Sequence, residues 1–349
     1  MKRWLIAMLL GAPMTALAVE TIRLESDAVV LEVTPELGGR GLWFSLQGRG
    51  NVLKVGAAVE TQPAPEVSAT ADDIGYLGHD VWLGPQSQWW LQQDANRARR
   101  KAAANWPPDP YLALATTRIV EATGQRLVLE GAPSPVSGVQ LRKIFALDPE
   151  RPDTVELRAQ ARNVRDTPVA WDLWFNTRVA PSTRVYVPVA GQQDVRVEPS
   201  TGATIAPLLP RVGDGLFSFE RSPLPAGATT RRGKVFLQPS AGWMAGFAGD
   251  QLFIIRFPHQ ARSSIHPEQG QVELYLDDAA DPGDGLLEME VHAPYRTLQP
   301  GQSMEAAERW TVLPYDGADT REAQLAFLCG EAAERLEEPN LCGTANPRR

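Results

Sequence analysis

Short runs in which apolar and polar residues alternate, separated by turn-forming residues, constrain this chain more than any other feature. The clearest run is 154–163, where over 154–161 Val155, Leu157, Ala159 and Ala161 alternate with Glu156, Arg158 and Gln160. A period of two with a single apolar set is the pattern of a strand with one wet face. Further β-rich runs lie at 29–33, 41–46, 126–130, 139–147, 169–178, 234–238, 243–248, 252–257, 271–276, 286–292 and 304–313. Turn sequences such as Asp148-Pro149-Glu150-Arg151-Pro152-Asp153 and Asp281-Pro282-Gly283-Asp284-Gly285 fall between them, and 29 Gly with 29 Pro suit many short strands better than a helical bundle. Almost no helical pattern intervenes, so the expected fold is all-β, a large antiparallel sandwich. Two segments differ. Residues 87–104 lack alternation and are expected to contain a helix before Trp106-Pro107-Pro108. After Asp319, the spacing to Glu322 resembles a capping box, and Ala323, Phe327, Ala332 and Leu336 include helically spaced positions, which predicts a short C-terminal helix. The Pro/Ala-rich stretch 61–73 reads as a loop.

The N-terminus reads as an address. Lys2 and Arg3 precede a short apolar run over 4–10, then Pro13 and a small-x-small Ala16-Leu17-Ala18. This is the layout of a secretory signal peptide, and the run is shorter than the ~20 apolar residues that span a bilayer core. Cleavage before Val19 is expected to release a periplasmic or secreted protein with no membrane span. In an oxidising compartment the two cysteines, Cys329 and Cys342, are expected to form one disulfide. The organisation expected is a signal peptide over 1–18, one sandwich domain over 19–315 and a helical tail over 316–349 tied by that disulfide. The formal charge of −8 argues against a nucleic-acid partner, whose binding draws on cations that neutralise phosphates. There is no P-loop, no GxGxxG after a strand, no GxSxG elbow and no HxxxH pair, so neither a cofactor nor a metal is expected.

Several segments together carry a resemblance. Leu37-Gly38-Gly39-Arg40-Gly41-Leu42-Trp43 resembles the early strand of galactose-mutarotase-like proteins. Leu141–Ile144, the strand ending in Asn163 and Trp171-Asp172-Leu173-Trp174-Phe175-Asn176 resemble their middle strands. Leu287-Glu288-Met289-Glu290-Val291-His292-Ala293-Pro294 followed by Leu298-Gln299-Pro300-Gly301-Gln302 resembles their late hairpin. Gly78-His79-Asp80-Val81-Trp82-Leu83-Gly84-Pro85-Gln86 is similar to a block in a bacterial family of unknown function within that superfamily. The resemblance covers roughly residues 21–313. It implies a β-supersandwich with a sugar-binding concavity, in which His and carboxylate groups act on an anomeric carbon.

Ring opening of a sugar needs a base for the anomeric hydroxyl and an acid for the ring oxygen. Of four histidines, His79 is the favoured candidate, read as lying in an aromatic, Gly-flanked loop beside Asp80; the competing reading is that the pair hydrogen-bonds a turn. Glu288, Glu290 and His292 share one face of a strand, and the resemblance lifts Glu290, or less favourably Glu288, to candidate base with His292 as its partner. Alone, that face would read as solvated. Arg40 could clamp hydroxyls or a carboxylate, or pair structurally with a carboxylate. Five of the ten Trp (Trp82, Trp89, Trp90, Trp171 and Trp174) fall in two short stretches, with Gln86, Asp172 and Asn176 close by. Indole faces stack on sugar rings, yet the same residues could simply fill the gap between sheets. The expected ligand is a saccharide or sugar acid bound by Arg40, Asp80, Trp82, Gln86, Trp89, Trp174, Asn176 and Glu288, with His79, Glu290 and His292 catalytic. The alternative is a non-catalytic envelope binding or scaffold module with the same fold.

Overall fold

The computed structural model describes residues 19–338 and 341–342, so the expected signal peptide lies outside the described residues. Two large sheets stack face to face. In the first, neighbours run Ile22–Glu25, Val29–Thr34, Arg40–Leu46, His79–Gly84, Val169–Val179, Leu286–His292, Val272–Ala279, Thr230–Leu237 and Val195–Pro199, all antiparallel. Ile205–Ala206 adds a short parallel pairing to Thr230–Leu237, and Arg296–Leu298 extends the pairing of Val169–Val179. The second sheet runs Pro210–Gly213, Leu216–Phe219, Arg184–Pro188, Trp243–Ala248, Gln251–Arg256, Ser303–Pro314, Thr154–Asn163, Val139–Leu147, Arg126–Glu130 and Arg118–Ala122.

Alternation explains the stacking. In Thr154–Asn163 the side chains of Val155, Leu157, Ala159 and Ala161 are buried, whereas Glu156, Arg158 and Gln160 are half-buried. Apolar sets from both sheets meet in the middle, where Phe44, Phe253 and Trp310 pack with ring centroids 5.2–5.7 Å apart. Burying each such large apolar side chain contributes about 1.5–3 kcal/mol.

The outer face of the second sheet is covered by the C-terminus. The helix Arg321–Phe327 continues through Leu328–Ala332 and Ala333–Arg335, and its Leu328, Ala332 and Leu336 pack on Tyr186, Phe247, Leu252 and Ile254. Its cap is Thr320, which accepts from the Ala323 N–H, rather than Asp319; the Asp319 carboxylate instead accepts from Arg184 and Gln324. The Cys329–Cys342 disulfide is formed.

One expectation is corrected. His79–Gly84 is not a loop but a strand between Arg40–Leu46 and Val169–Val179, with all six residues buried. The 87–104 segment begins within a 3-10 turn, Gln86–Gln88, and holds the helix Arg97–Lys101, capped by Asn96.

Candidate functional site

The outward face of the first sheet carries two rows of chemically active side chains in cross-strand register. One row runs Arg178, Glu288, Tyr275, Lys234 and Glu198 on five neighbouring strands. The next runs Asp80, Asn176, Glu290, Glu273, Phe236 and Arg196 on six. Trp82, Trp174 and His292 form a third set on the same face. Directly opposed side chains on one face lie ~4.5–5.5 Å apart, so these groups must interact.

They do so as a network. Lys234 Nζ donates to Glu273 Oε2 at 2.8 Å and to Glu290 Oε2 at 2.9 Å, and stands 4.7 Å over the Trp174 ring. Trp174 Nε1 donates to the same Glu290 oxygen at 3.1 Å. Arg178 Nε donates to Glu288 Oε1 at 2.8 Å, and its guanidinium lies 4.6 Å over Trp82. His292 Nδ1 is 3.2 Å from Asp172 Oδ1 and its Nε2 is 3.4 Å from Glu273 Oε1, while the Gln269 amide group closes on Nδ1 at 2.9 Å. Gly84 permits this approach: a Cβ there would stand 2.2 Å from Gln269 Nε2 and 2.6 Å from Asp172 Oδ1.

Protonation follows from these contacts. Burial, opposed by Lys234 but reinforced by Glu288 and Glu273, pushes the Glu290 carboxyl up to about 8, so it holds its proton at neutral pH. Burial would raise Glu273 too, but Lys234 and His292 outweigh it and bring it down to about 2. Glu288 is lowered in the same sense, chiefly by Arg178 against its own burial. Burial opposes the charge on His292, yet Glu273 and Asp172 raise it to about 9. Two carboxyl groups two residues apart on one strand therefore hold opposite protonation states, the pattern of an acid–base pair.

Above this network lies a cleft of two adjoining lobes. The larger, about 760 Å³, is bounded by Trp82, Trp106, Trp174, Arg178, Lys234, Tyr275 and Glu288. The smaller, about 520 Å³, is bounded by Trp174, Lys234, Phe236, Arg196, Gln269 and Glu273. Trp106 is 48% exposed at the rim, with its ring centroid 6.0 Å from that of Trp82. Several buried polar atoms beneath the cleft, Glu290 Oε1, Asn176 Oδ1, Asp172 Oδ2 and Gln269 Oε1, have no hydrogen-bond partner among the described residues. Glu273, Glu290 and His292 place ligand atoms within 4.8 Å of one another, a spacing that suits a cation. The Lys234 ammonium already bridges the two carboxyl groups, so a metal ion would have to displace it.

The expected site residues divide. Trp82, Gln86, Trp174 and Glu288 line the cleft; Asn176, Glu290 and His292 are fully buried in the network below it. Trp89 stands behind Trp82 and Trp174, 5.6 and 5.8 Å between centroids, and donates to the Leu83 carbonyl. Three residues lie elsewhere. His79 points between the sheets, where Nδ1 meets Thr177 Oγ1 at 3.0 Å and the ring stands edge-on to Trp310 at 4.7 Å. Burial, with Lys143 adding, keeps it well below its usual pKa, a neutral core histidine rather than a cleft acid. Arg40 spends its Nη atoms on Asp80 Oδ2 (2.9 Å) and on the Leu77 and Ala113 carbonyls, so it is not the ligand clamp expected. Asp80 is saturated by Arg40, by Lys143 Nζ at 2.7 Å, by the Val81 N–H and by Trp82 Nε1. Gly38, at φ +75° where a Cβ would meet the Leu112 carbonyl at 2.5 Å, turns its own carbonyl onto Lys143 at 2.7 Å. This buried set fastens the start of the strand His79–Gly84 to Arg40 and to Lys143 of the second sheet; it is not part of the cleft.

Sequence reasoning missed Lys234, Glu273, Arg178 and Trp106. The first three occupy polar positions of alternating strands, the same signal that singled out Glu288 and Glu290. Trp106 carried no signal beyond its Pro-rich neighbours.

The architecture is that of the galactose mutarotase-like β-sandwiches. Similar solved structures include the Slr1438 protein of Synechocystis sp. PCC 6803 (TM-score 0.54, 13% identity, 88% of this chain and 100% of that one). A galactose mutarotase-like protein of Lactobacillus casei ATCC 334 matches at TM-score 0.52 and 9% identity, over 84% of this chain and 100% of its own. A galactose mutarotase related enzyme of Lactobacillus acidophilus matches at TM-score 0.53 and 8% identity, over 86% and 100%. These likenesses establish the fold alone. Within that class the chain belongs to the DUF4380 family, a domain of unknown function whose model matches residues 19–313. Among curated proteins, none matches the chain. No helix among the described residues is long and apolar enough to cross a membrane.

Proposed function

We propose that the cleft binds a saccharide, in a protein exported from the cytoplasm by cleavage of residues 1–18. The observation that carries this reading is the meeting of Trp82, Trp106 and Trp174 with Arg178, Lys234 and Glu288 around one cavity of about 760 Å³. Such a cavity falls within the ~300–1,000 Å³ of small-ligand sites, and aromatic faces with a few fixed polar groups are what a pyranose requires. The cations are already paired with carboxylates, so the cleft favours a neutral saccharide over a sugar acid. Glu288 is an ionised carboxylate at the larger lobe, beside Trp82 and Trp174, and would serve as base toward an anomeric hydroxyl. As the C1–O5 bond opens, the ring oxygen would take its proton from water in the cleft, because the protonated Glu290 is fully buried below it.

The observation favouring a non-catalytic module is that Glu290 and His292 are fully buried and His79 faces the other side of the sheet. The two readings separate experimentally. Calorimetric titration of the exported protein with hexoses and N-acetylhexosamines is expected to show binding. Trp106→Ala is expected to weaken it about tenfold or more with unchanged melting temperature, because Trp106 is half-exposed. An anomer-interconversion assay on Glu288→Gln then reports catalysis. Absence of binding to any saccharide sinks the proposal; binding without interconversion leaves the binding module. N-terminal sequencing of secreted material should begin at Val19.

A further inference from the structure

The two lobes are consecutive stations along one groove, and we infer that its ligand is an oligosaccharide of at least two units rather than a free monosaccharide, an inference that rests on the saccharide reading above. Gln86, Trp174, Glu198 and Lys234 bound both lobes. On the floor, the larger lobe lies over Tyr275 and the smaller over Glu273, two residues further along the same strand; on the neighbouring strand Lys234 gives way to Phe236 in the same direction. Two residues of strand advance the surface by about 7 Å, a step that suits the next ring of a sugar chain. Each station has its own aromatic surface: Trp82 and Trp106 in the larger lobe, Phe236 in the smaller. Arg196 covers one face of the Phe236 ring, its guanidinium 3.5 Å from the centroid and anchored to the Glu268 carbonyl at 2.7 Å, with Lys234 Nζ 5.7 Å from the same centroid, so this station offers a stacked guanidinium–aromatic surface rather than a bare ring. With about 760 and 520 Å³, each lobe alone is large enough for a small ligand. A monosaccharide would fill one and leave the second aromatic platform and its polar edge uncovered.

The test is calorimetric titration of the full mature protein with glucose, cellobiose and cellotriose, and in parallel with N-acetylglucosamine, chitobiose and chitotriose. In at least one series the disaccharide is expected to bind about tenfold or more tightly than its monosaccharide. Phe236→Ala and, separately, Arg196→Gln are expected to bring that ratio to about 1. Because the readout is a ratio within each variant, it separates loss of the second station from damage to the whole site, and a melting curve of each variant confirms folding. Equal affinity for mono- and disaccharide in both series overturns this inference while leaving the saccharide reading in place. No binding of any of the six probes overturns this inference, and the saccharide reading falls with it when the wider hexose and N-acetylhexosamine panel is also silent.

Discussion

The ammonium of Lys234 stands 2.9 Å from Oε2 of the fully buried Glu290. The same nitrogen is 2.8 Å from Glu273 Oε2, so one lysine ties the ionised Glu273 to the protonated Glu290. Removing one partner of a buried ionic set costs ~3–5 kcal/mol, and without Lys234 the ionised Glu273 would keep only His292, 3.4 Å away, as counter-ion. Lys234→Met is therefore expected to lower stability by about that amount in urea unfolding, whereas Glu290→Gln, which keeps an acceptor for Lys234 and Trp174, costs much less. Equal costs would mean that the lysine is not the centre of the network.

A second ionic set makes a separate prediction. Asp80 is flanked by Arg40 and Lys143, all three buried. Asp80→Asn leaves two cations facing a neutral amide and is expected to cost ~3–5 kcal/mol, measured by the urea midpoint. If Arg40 were instead a ligand clamp, the variant would lose saccharide affinity with little change in stability.

Alkaline pH should weaken the fold. Glu308 is buried with a single partner, Trp310 Nε1 at 2.8 Å, and burial raises its carboxyl from 4.5 to about 8. Between these values the folded protein keeps a proton that the unfolded chain has lost, so this contribution is complete below pH 4.5 and disappears as pH rises through about 8. His292, raised from 6.5 to about 9, acts in the same direction over its own window. Stability is expected to fall by a few kcal/mol between about pH 5 and pH 9, and Glu308→Gln to flatten the profile. Urea midpoints across that range test it; a profile unchanged by the substitution would remove Glu308 as a cause.

The disulfide closes a short loop across the tail, with Cys329 and Cys342 thirteen residues apart. Loop-entropy arguments put its contribution at ~3 kcal/mol. Reduction, or Cys329→Ser with Cys342→Ser, is expected to lower the melting temperature and to speed proteolysis first within the tail helix. Cleavage beginning in the sandwich instead would show that the tail is held by packing alone.

Much of the sandwich was legible in the sequence because most of its strands have one apolar face. The runs at 126–130, 139–147, 154–163, 243–248 and 286–292 coincide with strands residue for residue. His79–Gly84 was misread as a loop because it is covered on both sides, so no alternation marks it, and its His-Asp opening suggests a turn. Arg118–Ala122 was missed for the opposite reason: it is an edge strand with every residue exposed. Glu288, Glu290 and His292 were placed on one face correctly because period two is local. Which strands lie beside them is set by topology, and so Lys234 and Glu273, brought in from two other strands, were invisible as partners.

The helix laid over the outer side of the second sheet also decides which way the molecule faces. Two sheets of nearly equal size could each present a platform; here the last turns of the chain seal one, and Cys342 leaves it on the side away from Trp106. A fluorescent reporter or surface tether attached on the tail helix would therefore start from the sealed side and leave the groove unobstructed.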